Sequence, residues 1–176
     1  MWYHDYVEFA LDLGLMKGMG GGKFEPEGTV TRAMFVNMLW RMDGEMQVEA
    51  ELTFKDVPAD IWYTEAVRWA ASEELVLGYS DAEFAPDAFI TREQFVTILW
   101  RYANYKGYDT EYAEETDISG FKDAASISEY AVIPMKWGCG TELVIGDGVN
   151  LTPTANATRA QAATLLQRMI AYMTEQ

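Results

Sequence analysis

Ile90-Thr91-Arg92-Glu93-Gln94-Phe95-Val96-Thr97-Ile98-Leu99-Trp100-Arg101 decides the fold, because the chain writes it more than once. Sixty residues earlier stands Val30-Thr31-Arg32-Ala33-Met34-Phe35-Val36-Asn37-Met38-Leu39-Trp40-Arg41, and Ala157 to Arg168 repeats the pattern with Thr158, Arg159, Leu166 and Arg168 in register. Apolar residues recur in this stretch at helical spacing. Thr91 is a preferred N-cap, and Gln94 three residues on completes a capping box. Thr158 and Gln161 repeat the box, whereas Thr31 is followed by Met34, which keeps the cap and loses its reciprocal half. A proline precedes the threonine by five residues in every copy, at Pro26, Pro86 and Pro153, so one loop conformation is expected throughout.

Working outward, residues 2–41 align without a gap on residues 62–101, with fifteen of forty positions identical. A diverged third copy repeats Phe54-Lys55-Asp56 as Phe121-Lys122-Asp123, Trp69 as Trp137 and Leu75-Val76-Leu77-Gly78 as Leu143-Val144-Ile145-Gly146. Ahead of each cap lies an earlier helix. In the second copy Trp62, Ala66, Val67, Trp69 and Ala70 mark its buried face, Asp60 is placed to cap it, and Gly78 to end it. No alternation of period two runs long enough for a sheet. The expected fold is all-α: three tandem helix-loop-helix repeats over 1–44, 54–105 and 121–173, forming one structural unit, because a repeat this small cannot bury both apolar faces alone. The polar stretches Asp43 to Thr53 and Lys106 to Ser119 read as exposed linkers. Trp2, Trp62, Trp40 and Trp100 lie at helical spacing and are assigned to the core, and Cys139 is read as a small buried apolar residue.

Composition excludes much. Thirteen basic residues against 28 acidic ones give a net charge of −15 over 176 residues. That field disfavours nucleic acid and anionic membranes. At 49% hydrophobic and 14% aromatic, the chain is too apolar for an acidic disordered segment. No stretch approaches a membrane span, and the first twenty residues lack the basic start of a signal peptide. The lone Cys139 offers neither a disulfide nor a paired-thiol metal site, and the lone His4 reads as a surface residue of the first helix.

These elements together resemble the bacterial S-layer homology domain. Its pattern is met by Phe54-Lys55-Asp56-Val57, Trp62, Gly78-Tyr79-Ser80-Asp81, Phe84-Ala85-Pro86 and Ile90-Thr91-Arg92-Glu93-Gln94. The resemblance implies three repeats in a pseudo-threefold bundle with grooves between neighbours. It also implies non-catalytic, noncovalent anchoring of a larger secreted protein to secondary cell-wall polysaccharide at the bacterial surface, often through a pyruvylated sugar. No cofactor and no metal are expected. The sequence departs from the family's Thr-Arg-Ala-Glu start in every copy, since the final Glu is Met34, Gln94 or Gln161. The first copy has Met19-Gly20-Gly21-Gly22 in place of the Tyr-x-Asp loop and no counterpart of Phe54 to Val57, so the chain is expected to be part of a longer protein or to begin with a shortened repeat.

A pyruvate ketal carries a carboxylate, which a guanidinium can clasp through two parallel hydrogen bonds. Arg32, Arg92 and Arg159 each open a second helix, where free backbone N–H groups would add to the attraction. Trp62, Tyr63 and Tyr79 offer flat faces to a sugar ring, and Gly78 and Asp81 complete the candidate set from the loop motif. Each has a structural alternative: the arginines as salt bridges between repeats, and Asp81 and Asp147 as turn residues. Replacing Arg92 by Ala is expected to weaken wall binding with little change in stability. Arg41, Arg101 and Arg168 end their helices and suit the helix dipole. A calcium site lacks the Asp-x-Asp-x-Asp-Gly spacing. A glycoside hydrolase needs more than the pair Glu65 and Asp81. A degenerate repeat serving as spacer or protein-interaction element is the remaining alternative.

Overall fold

The computed structural model describes residues 1–175, with every side chain among them except that of Tyr112. It is all-helical: α1 (His4–Asp12), α2 (Arg32–Met42), α3 (Thr64–Ser72), α4 (Arg92–Tyr105), the single turn α5 (Tyr112–Glu115), α6 (Val132–Gly140) and α7 (Arg159–Thr174), with 3₁₀ turns at Ala124–Ser126 and Glu129–Ala131. Extended pairing among the described residues is limited to isolated bridges. Each copy supplies one short and one longer helix. The second helices start as the sequence dictates. Thr31, Thr91 and Thr158 accept from the third backbone N–H of their helices, and the reciprocal Gln bond forms at Thr91 and Thr158 but not at Thr31.

Short-helix ends depart from expectation. Helix α3 begins at Thr64 with no side-chain cap, and Asp60 lies earlier with φ of +61°. Thr64 itself organises this entry, accepting from the Ile61 N–H and donating to the Pro58 carbonyl. Nor does Gly78 end the helix. The left-handed residue after α3 is Glu74, matched by Gly14 and Glu142 in the other copies. Gly78 has a different necessity: a Cβ there would lie 2.3 Å from the Ser80 carbonyl oxygen and 2.5 Å from Phe54.

The aspartate of Phe-Lys-Asp is a loop clamp. Asp56 accepts from the Phe84 and Ala85 N–H groups at 2.8 and 2.6 Å, and Asp123 does the same for Leu151 and Thr152. Ala85 and Thr152 hold positive φ just before their prolines, so the clamp fixes a backbone shape that a non-glycine residue resists.

The three copies close on one another in a cycle. Val30 N–H donates to the Ala157 carbonyl, Ala157 N–H to Ile90, and Ile90 N–H back to Val30, at 2.9–3.0 Å. Second helices pack on the next copy's first helix: α2 on α3, α4 on α6, and α7 back on α1. Phe35 and Phe95 stack at 3.7 Å between ring centroids, where the third copy has Ala162. Trp69 and Trp137 are fully buried. Trp2 and Trp62, by contrast, are 62% and 57% exposed, which corrects their assignment to the core. Both precede the first residue of their helix, so helical spacing does not govern where they point. Trp40 and Trp100 are half-buried against the core, as is Cys139, whose thiol pKa burial pushes up to about 11.

The linkers are less detached than their composition suggests. Asp43, its side chain nearly sealed from solvent, accepts from Tyr102 Oη at 2.7 Å and from Lys106 Nζ at 3.0 Å, joining the starts of both linkers. Ala113 and Ile118 are buried, and α5 packs on α6. Two apolar residues in an acidic run suffice to hold one face down while the carboxylates stay in water.

Candidate functional site

Each arginine that opens a second helix reaches across to the loop of the next copy. Arg32 Nε donates to the Phe84 carbonyl and Nη2 to the Leu77 carbonyl, both at 2.9 Å. Arg159 does the same to Phe24 and Lys17, at 2.8 and 2.6 Å. Arg92 makes one such bond, to Leu151 at 3.0 Å. Arg32 also lies over the rings of Tyr79 and Phe84, and Arg159 over that of Phe24. Burial lowers the pKa of all three, yet an arginine so placed stays charged. Among the described residues no carboxylate lies within ion-pairing distance of any of them. Neighbouring copies are thus joined by guanidinium-to-carbonyl bonds rather than by salt bridges, and the carboxylates that act on these charges, Asp56 on Arg32, Asp123 and Asp147 on Arg92 and Glu25 on Arg159, do so without direct contact.

Three grooves of equivalent build result, open channels of about 330, 280 and 270 Å³. Groove 1 runs along α2 and is lined by Gly18, Met19, Met34 and Arg41, with Trp62 from the second copy and Arg159 from the third. Groove 2 runs along α4 and is lined by Gly78, Tyr79, Gln94 and Arg101, with Tyr130 from the third copy and Arg32 from the first. Groove 3 runs along α7 and is lined by Gly146, Gln161, Leu165 and Arg168, with Trp2 from the first copy and Arg92 from the second. Every groove therefore draws its loop and long helix from one copy, an arginine from a second and an aromatic from the third.

This arrangement separates residues that are neighbours in sequence. Arg32 shares groove 2 with Gly78 and Tyr79, Trp62 stands in groove 1 beside Arg159, and Arg92 belongs to groove 3. Tyr63 is buried, its ring edge-on to Trp62, so it presents no face to a groove. Asp81 sits on the exposed tip of the tight turn between Ser80 and Glu83, outside the groove linings. Asp147 likewise serves its turn, accepting from Val149 and Asn150 N–H groups that depress its pKa.

The expectation of free N–H groups at the helix starts fails. Arg32, Ala33 and Met34 N–H donate to the Ala88 and Pro86 carbonyls and to Thr31 Oγ1, and α4 and α7 repeat this scheme. Cyclic packing consumes these donors, which leaves the guanidiniums as the source of positive potential. Sequence reading placed Trp2 and the trio Arg41, Arg101 and Arg168 elsewhere and passed over Tyr130. The trio donates to the Leu15, Leu75 and Leu143 carbonyls of its own copies and puts a second cation into every groove. Its repetition at equal spacing was a visible signal. Tyr130, aligned with Trp62 through the Trp69/Trp137 match, was another.

Polar groups differ between grooves. In groove 2 the capping box fixes the Gln94 amide: Oε1 accepts from Thr91 N–H, so Nε2 faces and donates to Tyr79 Oη at 3.3 Å. Tyr130 Oη donates to Glu93 Oε1 at 3.3 Å, and its pKa is pushed up to about 12 by burial and by that carboxylate. In groove 1 the Asn37 amide meets its neighbours in one orientation, donating to the Trp62 carbonyl and accepting from Arg41 Nη2 at 3.1 Å.

Among the described residues no helix is long and apolar enough to cross a membrane. The chain is 30% identical to the Surface-layer 125 kDa protein of Lysinibacillus sphaericus over 93% of its length, and 31% identical to an Amylopullulanase of Thermoanaerobacterium thermosulfurigenes over 96%. It is 32% identical to the Cellulosome-anchoring protein of Acetivibrio thermocellus over 52%. It spans only 14%, 9% and 22% of the lengths of these relatives. The S-layer homology domain model matches residues 1–34, 53–96 and 120–163. Three tandem matches over most of its residues establish that the chain belongs to the S-layer homology domain family.

Proposed function

We propose that the chain is a non-catalytic anchoring module, which holds an acidic secondary cell-wall polysaccharide in its inter-repeat grooves and tethers a larger secreted protein to the bacterial surface. The supporting observation is the guanidinium delivered into each groove by the neighbouring copy without a direct ion pair, buried for Arg32 and Arg159 and half-buried for Arg92, with a second arginine close by. An anion entering such a groove meets cations that packing has already partly stripped of water. A carboxylate borne by a sugar, as in a pyruvyl ketal, fits this chemistry better than a neutral sugar does. Arg32, Arg92 and Arg159 would take the carboxylate. Tyr79, Trp62, Tyr130 and Trp2 would flank the ring, with Gly78 letting the chain pass close. The names of the relatives, a surface-layer protein and a cellulosome-anchoring protein, accord with this role. The relatives that are enzymes match this chain over a small share of their length, which suits an attachment unit joined to a catalytic one.

A spacer role without sugar binding is favoured by one observation, the methionine lining of groove 1. Sedimentation with purified bacterial walls, before and after removal of the non-peptidoglycan polymer, decides between the readings. Anchoring predicts that the protein pellets with intact walls and stays in solution with stripped ones. Equal behaviour with both overturns it.

A further inference from the structure

Glu93 is buried to 4% exposure in the first turn of α4, where the other copies have Ala33 and Ala160. A carboxylate in that position needs donors, because leaving it unpaired would be costly. It has three, all from the third copy: Ser128 N–H at 3.0 Å, Ser128 Oγ at 2.7 Å and Tyr130 Oη at 3.3 Å. A carboxylate only accepts, so the Tyr130 hydroxyl proton is committed to Glu93; the Ser128 hydroxyl also reaches the Tyr130 oxygen, whose second lone pair is left for the groove. On the opposite wall the polarity is reversed. Gln94 Nε2 donates to Tyr79 Oη, so the Tyr79 hydroxyl proton is free to point inward. Both ring hydroxyls line groove 2, and both residues are more than half exposed to whatever enters it.

We propose that groove 2 reads the hydroxyl pattern of its sugar, Tyr130 accepting from a free ring hydroxyl while Arg32 holds the carboxylate, and that Glu93 is the positioning residue that sets this polarity. The ligand class is an acidic sugar that keeps an unsubstituted hydroxyl within reach of its carboxylate. This rests on the anchoring function proposed above, and adds a discrimination that grooves 1 and 3, with Trp62 and Trp2 in the place of Tyr130, do not provide.

Two probes test it: the methyl glycoside of a pyruvyl-ketal hexose, and the same glycoside with its remaining ring hydroxyls methylated. Titration followed by amide NMR shifts separates the grooves, with Gly78 reporting groove 2, Gly18 groove 1 and Gly146 groove 3. The wild type is expected to bind the free-hydroxyl glycoside about three- to tenfold more tightly at Gly78, the range of one neutral hydrogen bond. Tyr130→Phe, a change at an exposed edge that leaves the fold intact, is expected to erase the preference. Glu93→Gln, with an amide able to donate back to Tyr130, is expected to erase it as well, with the Gly18 and Gly146 responses unchanged. Equal affinity of the wild type for both probes, or a preference that survives Tyr130→Phe, overturns the proposal. A silent Gly78 also overturns it; responses at Gly18 or Gly146 would then keep the anchoring function, and silence at all three would remove both.

Discussion

Grooves 1 and 2 share one frame and differ in their walls. In both, an arginine from another copy bonds two loop carbonyls, a second arginine stands on the long helix, and a glycine admits the turn. Of the arginines expected to end their helices only Arg41 does, since α4 and α7 run on past Arg101 and Arg168. Groove 2 dresses this frame with Tyr79, Gln94 and Tyr130, whose hydrogen-bond directions are fixed by the capping box and by Glu93. Groove 1 puts Met19 and Met34 at the places of Tyr79 and Gln94. A single replacement, Met34 for glutamine, removes both the reciprocal cap and a polar groove wall, so helix stability and site chemistry were changed together. The lesson is that a cap residue at this site also has a second duty. The loops differ in the same sense: Asp56 clamps the second copy's loop, while Gly20, Gly21 and Gly22 carry the first copy's turn at positive φ.

The widest gap between the two grooves is expected at their glycines. Gly78→Ala would drive a Cβ into backbone oxygens at 2.3 and 2.6 Å, whereas Gly18→Ala meets one at 3.0 Å. Urea unfolding should show a loss of about 3 kcal/mol for the former and about 1 kcal/mol for the latter. Equal losses would break the comparison at its base.

Arginine removal comes next. Arg32→Ala leaves the Phe84 and Leu77 carbonyls without their donor, at a cost of about 2 kcal/mol, and Arg92→Ala, with one such bond, about 1 kcal/mol. The sequence-level expectation that Arg92→Ala spares stability is thereby revised. Arg→Lys variants, which keep the charge but lose the fork, are the better probe of wall binding. Melting and sedimentation measured on the same variants check both effects.

Met34→Gln should narrow the difference between grooves by restoring the box, raising stability by about 0.5 kcal/mol, and Gln94→Ala should lose a similar amount. Thermal melts resolve both. The smallest effect is alkaline. The Tyr130 pKa is raised in the folded chain, so its contribution is complete below the ordinary tyrosine range near pH 10 and is lost as pH climbs toward about 12. Tyr130→Phe should lessen that decline in unfolding free energy measured against pH, the part carried by Tyr102 and Tyr63, whose pKa values burial also raises, remaining, whereas Trp62→Phe in groove 1 should leave it unaltered.

Helix starts were legible because a cap is a local matter. Thr91 and Gln94 meet across three residues, and nothing distant competes for them. Asp60, Gly78 and Trp62 were misread for the complementary reason. Each has a common local role that the structure overrides: Gly78 is claimed by close contacts with Phe54 and Ser80 and Trp62 by a groove belonging to another copy, while Asp60 lies ahead of the helix at positive φ and Thr64 takes over its entry. The arginines fall between these cases. Their repetition marked them as important, but their direction across to the next copy was decided by packing.

By itself, then, the sequence determined three helical repeats and the caps of their longer helices, and it marked the recurring arginines, because periodicity and capping act over a few residues. Only the tertiary structure decided which of those residues meet. The hydrogen bonds among Val30, Ile90 and Ala157 close the copies into a cycle, the helix-start N–H groups are consumed in that closure, and each groove is assembled from all three copies. Contacts between residues 45 to 142 positions apart leave no trace in local pattern, since burial and satisfied donors reward them only once the cycle is complete.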